Sequence, residues 1–242
     1  MTKFFIGTSG WSYSHWKGLF YPESLSPTKF LNYYLSKFDT VEVNSSFYHL
    51  PREQTFKNWY KKTPKDFLFS VKASRFISHR KKLKDCFEPW KLFYSRAKFL
   101  KEKLGPILFQ LPPGFKADKS RLEDFLKILP KNQRFTFEFR HLSWFNKSVY
   151  QTLKKHKIAL TIADTPSYPL VKKITADFTY LRLHGHKELY ASNYSGASLK
   201  KWARLIKKWV KDFKLKAVYV YFDNDAHCFA PQNALRLKKL LD

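Results

Sequence analysis

Cysteine is nearly absent from this chain: Cys86 and Cys228 are the two in 242 residues. Two thiols cannot build a disulfide framework, so the fold has to rest on its core, as suits a reducing, cytoplasmic setting. No apolar run approaches the length of a membrane span. The N-terminus lacks the long apolar region and small-residue cleavage site of a secretory signal. No linker, low-complexity tract or internal repeat interrupts the chain, which points to one domain over residues 1–242. No Ser-His-Asp order, phosphate loop or dinucleotide fingerprint is present, and Gly7-Thr-Ser-Gly10 lacks the lysine and spacing of a phosphate loop. Acids are scarce as well, 19 against 46 Lys and Arg, for a net charge of +27. That field favours polyanions, either nucleic acid, phosphorylated metabolites or an anionic surface. The competing account is a lysine-biased composition that decorates helix surfaces.

What is present is a regular alternation. Short strand-like runs fall at Phe4–Thr8, Thr40–Asn44, Phe67–Ala73, Ile107–Leu111, Arg134–Arg140, Ile158–Ala163, Thr179–Leu183 and Ala217–Phe222. Helical patterns follow most of them, at Thr28–Lys37, Glu53–Lys62, Glu88–Lys103, Lys119–Leu129, Lys147–Lys155, Leu199–Phe213 and Gln232–Leu241. The link Thr165–Ala176 carries two prolines and reads as non-helical. Eight strands alternating with helices predict an α/β fold, a single (β/α)8 TIM-type barrel of parallel strands with irregular loops after strands 1, 3 and 6.

Strands covered by helices usually read as continuous apolar runs. Here the run from Thr40 to Tyr48 sets Val41 and Val43 on one face and Glu42 and Asn44 on the other. The same parity sends Ser70, Lys72, Gln110, Thr136, Glu138, Arg140, Tyr180, Arg182, His184, Tyr219, Tyr221 and Asp223 inward. Three acids (Glu42, Glu138, Asp223) balance three bases (Lys72, Arg140, Arg182) near the strand ends, where barrel enzymes keep their chemistry. The ring serves either as a structural salt-bridge network or as a catalytic and anion-binding set. In the second case Glu42 and Glu138 act as acid or base, and Lys72, Arg140, Arg182 and His184 hold the anion. Lys72 as a Schiff-base nucleophile is the weaker idea, because an ion pair with Glu42 competes.

Aromatic and polar residues crowd the loops: Trp11, Tyr13, His15 and Trp16 after strand 1, Tyr48 and His49 after strand 2, His141 and Trp144 after strand 5. Such residues stack planar or sugar-like ligands, or simply anchor loops. Barrels often hold phosphate in the loops after strands 7 and 8, where Arg182, His184, Gly185, His186 and Asn224 fall. A basic loop, Arg75 to Lys84, adds to the same face, whereas the lysines of 200–216 read as the wet face of a helix. Glu42, Glu138, Asp164, His184, Asp223 and Asp225 offer donors to Mg²⁺ or Mn²⁺, but Lys72, Arg140 and Arg182 compete for those acids, so a divalent metal is not favoured.

Seven motifs occur in a fixed order: Gly7-Thr-Ser-Gly-Trp11, Glu42-Val-Asn-Ser-Ser-Phe-Tyr48, Phe69-Ser-Val-Lys-Ala73, Leu108-Phe-Gln-Leu-Pro112, Glu138-Phe-Arg-His141 with Trp144, Arg182-Leu-His-Gly185, and Tyr221-Phe-Asp-Asn-Asp225 with Asn233-Ala234. In these the chain resembles the YecE-like family of barrel proteins of unknown function. The resemblance implies a TIM-type barrel and a shared pocket at the motif residues, with no established reaction. It carries an analogy to metal-dependent endonuclease barrels and nucleic-acid binding. The chain departs from the family pattern at Asp223, where Asn is frequent, and at Cys228, where Gly is frequent. The added carboxylate works against anion binding at Asp223.

The reading that results is a barrel that binds, and hydrolyses, a phosphate-bearing ligand (nucleic acid or phosphorylated metabolite) at its C-terminal mouth. The alternatives are a non-enzymatic nucleic-acid-binding module that uses its basic surface and a sugar- or carbonyl-type enzyme.

Overall fold

The computed structural model describes residues 1–241. Its strands are β1 (Lys3–Thr8), β2 (Thr40–Val43), β3 (Leu68–Lys72), β4 (Leu104–Gln110), β5 (Phe135–Glu138), β6 (Ala159–Asp164), β7 (Phe178–Leu183) and β8 (Ala217–Phe222). They form one eight-stranded sheet in the order β1-β8-β7-β6-β5-β4-β3-β2. The recorded ladders β1/β8, β7/β8, β3/β4, β4/β5 and β5/β6 are all parallel. The helices are α1 (Phe30–Leu35), α2 (Ser45–Tyr48), α3 (Glu53–Lys62), α4 (Phe87–Ala97), α5 (Lys119–Lys127), α6 (Lys147–Lys155), α7 (Gly196–Phe213) and α8 (Phe229–Leu241). This is the (β/α)8 TIM-type barrel that the alternation predicts.

Capping side chains set several helix starts. Asp118, Asn146 and Ser195 accept the backbone N–H of Arg121, Val149 and Ser198 at 3.0, 3.1 and 3.1 Å. The Ser195 cap starts α7 three residues ahead of the predicted Leu199. Elsewhere elements end early. Asn44 has helical dihedrals and opens α2, so β2 stops at Val43. β5 stops at Glu138, which leaves Arg140 beyond the ladder. The long helix predicted to reach Lys103 ends at Ala97, and a 3-10 stretch follows with Lys101 at φ 49°, ψ −125°. The three irregular loops hold short turns: 3-10 at Ser14–Trp16, π at Phe76–Arg80, and no helix between Thr165 and Ala176.

The chain divides into two compact units. The first holds Met1–Glu42, Ile162–Leu170 and the residues from Asp177 onward. In it α8 packs on β1, β8 and α7. Trp16, Tyr21, Phe30, Tyr34 and Phe38 are buried together, with Tyr21 and Phe30 stacked at 4.2 Å between ring centroids. The Tyr34 hydroxyl donates to the Thr40 carbonyl at 3.0 Å and accepts the Thr8 amide at 3.1 Å. Gly7 lies against that carbonyl so closely that a Cβ would overlap it.

The second unit holds Val43–Thr161 and Val171–Ala176. Phe69, Trp90, Phe109, Phe125, Phe135 and Phe137 fill its core, each buried ring contributing about 2–3 kcal/mol. Lys103 is an exception to the apolar rule. It is 5% exposed, and its ammonium donates to the Tyr60 and Thr63 carbonyls at 2.6 Å each and to Thr63 Oγ1 at 3.2 Å. These are orphan acceptors at the C-terminal end of α3, so the lysine both satisfies them and answers the helix dipole. Burial holds its pKa below the usual lysine value. Lys103→Met should therefore cost about 2–3 kcal/mol in urea unfolding, since it strands two buried carbonyls.

Candidate functional site

In the first unit the strand ends assemble one buried charged group. Glu42, fully buried on β2, accepts hydrogen bonds from Tyr180 at 2.6 Å, from Arg182 Nε at 3.0 and 3.1 Å, and from Arg182 Nη2 at 2.8 Å. The Ser9 hydroxyl donates to the same carboxylate. Arg182 Nη2 also reaches Asp223 Oδ2 at 3.1 Å. His184 Nδ1 lies 2.9 Å from that oxygen, and Arg182 Nη1 lies 3.3 Å from His184 Nε2. A guanidinium can only donate, so Nε2 accepts and the imidazole proton sits on Nδ1, shared with Asp223. Burial first, and then Glu42, push the Tyr180 hydroxyl well above its usual pKa, so it is a neutral donor. The group is saturated: both oxygens of Glu42 and both nitrogens of His184 are engaged.

Near this group stands a second pair. His15 Nε2 is 2.8 Å from the Asp225 carbonyl and 3.9 Å from its carboxylate. Burial, and next the Asp223 charge, raise Asp225 to about 6. Cys228 follows at φ 58°, a left-handed conformation that glycine adopts without strain.

The second unit carries a different group. Glu138, 1% exposed, accepts from Gln110 Nε2 and from Arg140 Nε, each at 2.8 Å. Lys72 ends β3 nearly buried, its ammonium 4.1 Å from the Phe47 ring centre. The Ser46 hydroxyl donates to the Lys72 carbonyl at 2.7 Å, tying α2 to the end of β3. His79, on the π turn, meets Phe47 edge to face at 4.9 Å. Its pKa is lowered to about 4 by burial, then by Lys72 and Arg140, with Arg75 adding to them and Glu138 opposing. The field at His79 is positive.

The remaining candidates scatter. Trp144 is fully buried, stacked on Phe139 at 4.6 Å with its indole donating to the Phe115 carbonyl at 2.7 Å, so it anchors the loop. Tyr221 is buried as well, its hydroxyl 2.7 Å from Thr40 Oγ1. Asn224 donates to the Ser192 carbonyl and to Asn233 Oδ1, both at 2.9 Å, and joins loops. Trp11 is half-buried, and its carbonyl accepts the Tyr21 hydroxyl. His141 Nδ1 accepts the Ser143 amide at 3.2 Å. Tyr48 is 59% exposed, and Asn44 keeps a buried Oδ1 with no hydrogen-bond partner among the described residues.

In the loops after β7 and β8, where the sequence predicts phosphate, several amides are internally bonded, whereas His186 Nδ1 and Asn224 Oδ1 are buried with no hydrogen-bond partner among the described residues. The Gly185 amide donates to Tyr194, and the Lys187 and Glu188 amides donate to Ser192. Sequence reasoning passed over His79 as one member of a basic run. Tyr180, which completes the Glu42 group, gave no signal beyond strand parity, and Ser9 was marked by its place in the Gly7–Trp11 motif alone. Among the described residues no three His, Cys, Asp or Glu side chains converge as metal ligands. The strand-end carboxylates Glu42, Glu138 and Asp223 instead face guanidinium groups. No helix among the described residues is long and apolar enough to cross a membrane.

Two outcomes follow from this geometry. Arg182→Met leaves Glu42 buried without its cation and should cost about 3–5 kcal/mol in urea unfolding, part of which Glu42→Gln returns in the same background. Asp225 gains its proton near pH 6 when folded, against the ordinary 3.8 unfolded. The folded chain binds the extra proton between those values, so stability falls as pH rises through them. Asp225→Asn should remove that fall, leaving the variant about 2 kcal/mol more stable than the parent at about pH 7.5 and equal to it at about pH 3.5.

Comparison with known proteins places this architecture. A crystal structure of a DUF72 family protein (TM1631) from Thermotoga maritima superimposes with a TM-score of 0.89 at 33% identity, covering 99% of each chain. One from Enterococcus faecalis (EF0366) gives 0.84 at 22% identity, over 98% of this chain and 95% of that one, a likeness of fold. The UPF0759 protein YunF of Bacillus subtilis is 28% identical over 98% of this chain and 94% of its own length. The UPF0759 protein YecE of Escherichia coli K12 is 31% identical over 59% of this chain and 50% of its own. The profile described as "Protein of unknown function DUF72" matches residues 5–242, and the chain belongs to that family.

Proposed function

We propose that the protein binds a phosphate-bearing small molecule at the Lys72–Arg140–His79 group of the second unit and hydrolyses it, with Glu138 as the acid–base residue. The observation that carries the reading is geometric: Lys72, 4.1 Å from the Phe47 ring centre, and His79, 4.9 Å from the same ring, gather with Arg140 of the Glu138 pair in one unit, and Lys72 and Arg140 both lower the His79 pKa after burial does. Lys72 and Arg140 are held in place by Phe47 and Glu138, so they meet an anion without first being ordered. Arg140 offers a planar fork to phosphate oxygens, and the unpartnered Asn44 Oδ1 suits a ligand hydroxyl. In hydrolysis, water attacks phosphorus, Glu138 takes the water's proton, and the P–O bond to the leaving group breaks. In this reading Glu42 and His184 serve the fold as part of the group around Arg182.

Histidine NMR tests this directly. In the parent, inorganic phosphate should perturb His79 and raise its pKa from about 4. Lys72→Met should raise that pKa without phosphate and weaken phosphate binding by about tenfold, the loss of one close charge. A His79 resonance indifferent to phosphate, with the same binding in Lys72→Met, would sink the reading.

A further inference from the structure

An unbalanced row of charge lies on α7, a different element from those that build either group. Lys200, Lys201, Arg204, Lys207, Lys208 and Lys211 are all exposed, and none is in an ion pair among the described residues. Two other helices, α3 and α5, are arranged differently. On α3, Lys57 pairs with Glu53; on α5, Lys119, Arg121 and Lys127 each pair with an acid three or four residues away. Even the basic loop that ends at Lys84 is locally offset, since Lys84 and Arg121 share one surface hollow with Asp85, Asp118 and Asp124. A general lysine bias would treat these helices alike.

The spacing of the six residues makes the contrast sharper. Positions 200, 204, 207, 208 and 211 recur at three and four residues, so the side chains line one face and repel along it. Between Lys200 and Lys211 the row spans about 16 Å at the helical rise. That is about five phosphates along one strand of a nucleic acid. The opposite face, Leu199, Trp202, Ala203, Ile206 and Trp209, is buried in the unit and cannot insert into a bilayer.

We propose that this face of α7 is a docking surface for the sugar-phosphate backbone of nucleic acid, read by charge and not by sequence. The strip is rigid, since its apolar side is fixed in the core, and it lies on a separate element from the Lys72 group. A polyanion would offset the like-charge crowding that the helix bears alone. Binding here would release counterions and weaken steeply with salt.

The test uses the full chain, a short mixed-sequence DNA duplex, and a variant carrying Arg204→Gln, Lys207→Gln, Lys208→Gln and Lys211→Gln. Fluorescence anisotropy across a salt series should show the slope of log K against log salt falling by about 3 to 4 in the variant, about 0.9 per lost phosphate contact. Affinity should drop about tenfold or more at low salt. Replacing the same lysines by arginine should keep the slope. Melting of the glutamine variant should be unchanged or higher, because repulsion is removed; a lower melting temperature would contradict the claim that these side chains meet only solvent. Equal slopes in parent and variant would overturn the proposal. So would retention on phosphatidylserine vesicles with no duplex binding.

Discussion

A carboxylate taken fully out of water must be matched by a cation and by donors for its lone pairs, and Glu42 is such a carboxylate. Its match is Arg182, reinforced by Tyr180 and Ser9. Arg182 in turn fixes Asp223 and, through it, the ring of His184. One buried ion pair thus dictates the polar faces of β7 and β8 and the start of the loop after β1. It also ties together Glu42, Arg182 and His184, which the sequence offers as a catalytic and anion-binding set or as a structural network. Satisfying a buried carboxylate is itself a structural demand, and Arg182, Tyr180 and Ser9 meet it here.

Much of this was legible in the sequence. Strand–helix alternation gave eight strands and the fold class, because a period of two and a period of 3.6 leave different traces in short windows. Strand parity also marked which side chains share a face, and Glu42, Arg182, Glu138 and Lys72 are buried as that parity demands. Partner identity was not legible. Parity tells where a side chain points and is silent on what meets it, which depends on residues far apart in sequence, such as Glu42 and Arg182. The loops show the same limit. Trp144 reads like a ligand-stacking residue beside His141, yet Phe139 and Phe115 enclose it. Element ends moved for local reasons that need coordinates, as with the Lys101 kink that returns Lys103 to the end of α3.

The two buried groups differ in a way their composition alone would not reveal. Around Arg182 two acids and a histidine ring enclose a single guanidinium, and every polar atom named there is spoken for. Around His79 burial first, and then Lys72 and Arg140 with Arg75, against Glu138, lower the imidazole pKa to about 4. A saturated group resists change and suits a scaffold. A group with surplus positive charge would be improved by an anion, which is the physical ground of the proposed site.

The same reasoning extends to the +27 charge as a whole. Net charge by itself concerns solubility and long-range attraction, and a uniform lysine excess would explain it without any partner. Distribution is the deciding quantity. Where α3 and α5 interleave acids with bases, the cost of crowding is small and no partner is called for. Where α7 lines up six bases from Lys200 to Lys211 and carries one acid, Asp212, at its far end, most of the repulsion persists in the free protein and is relieved by an external anion or by salt. A linear array on a helix whose other face is locked in the core can relieve it only along a line, which a polyphosphate backbone supplies and a compact anion does not.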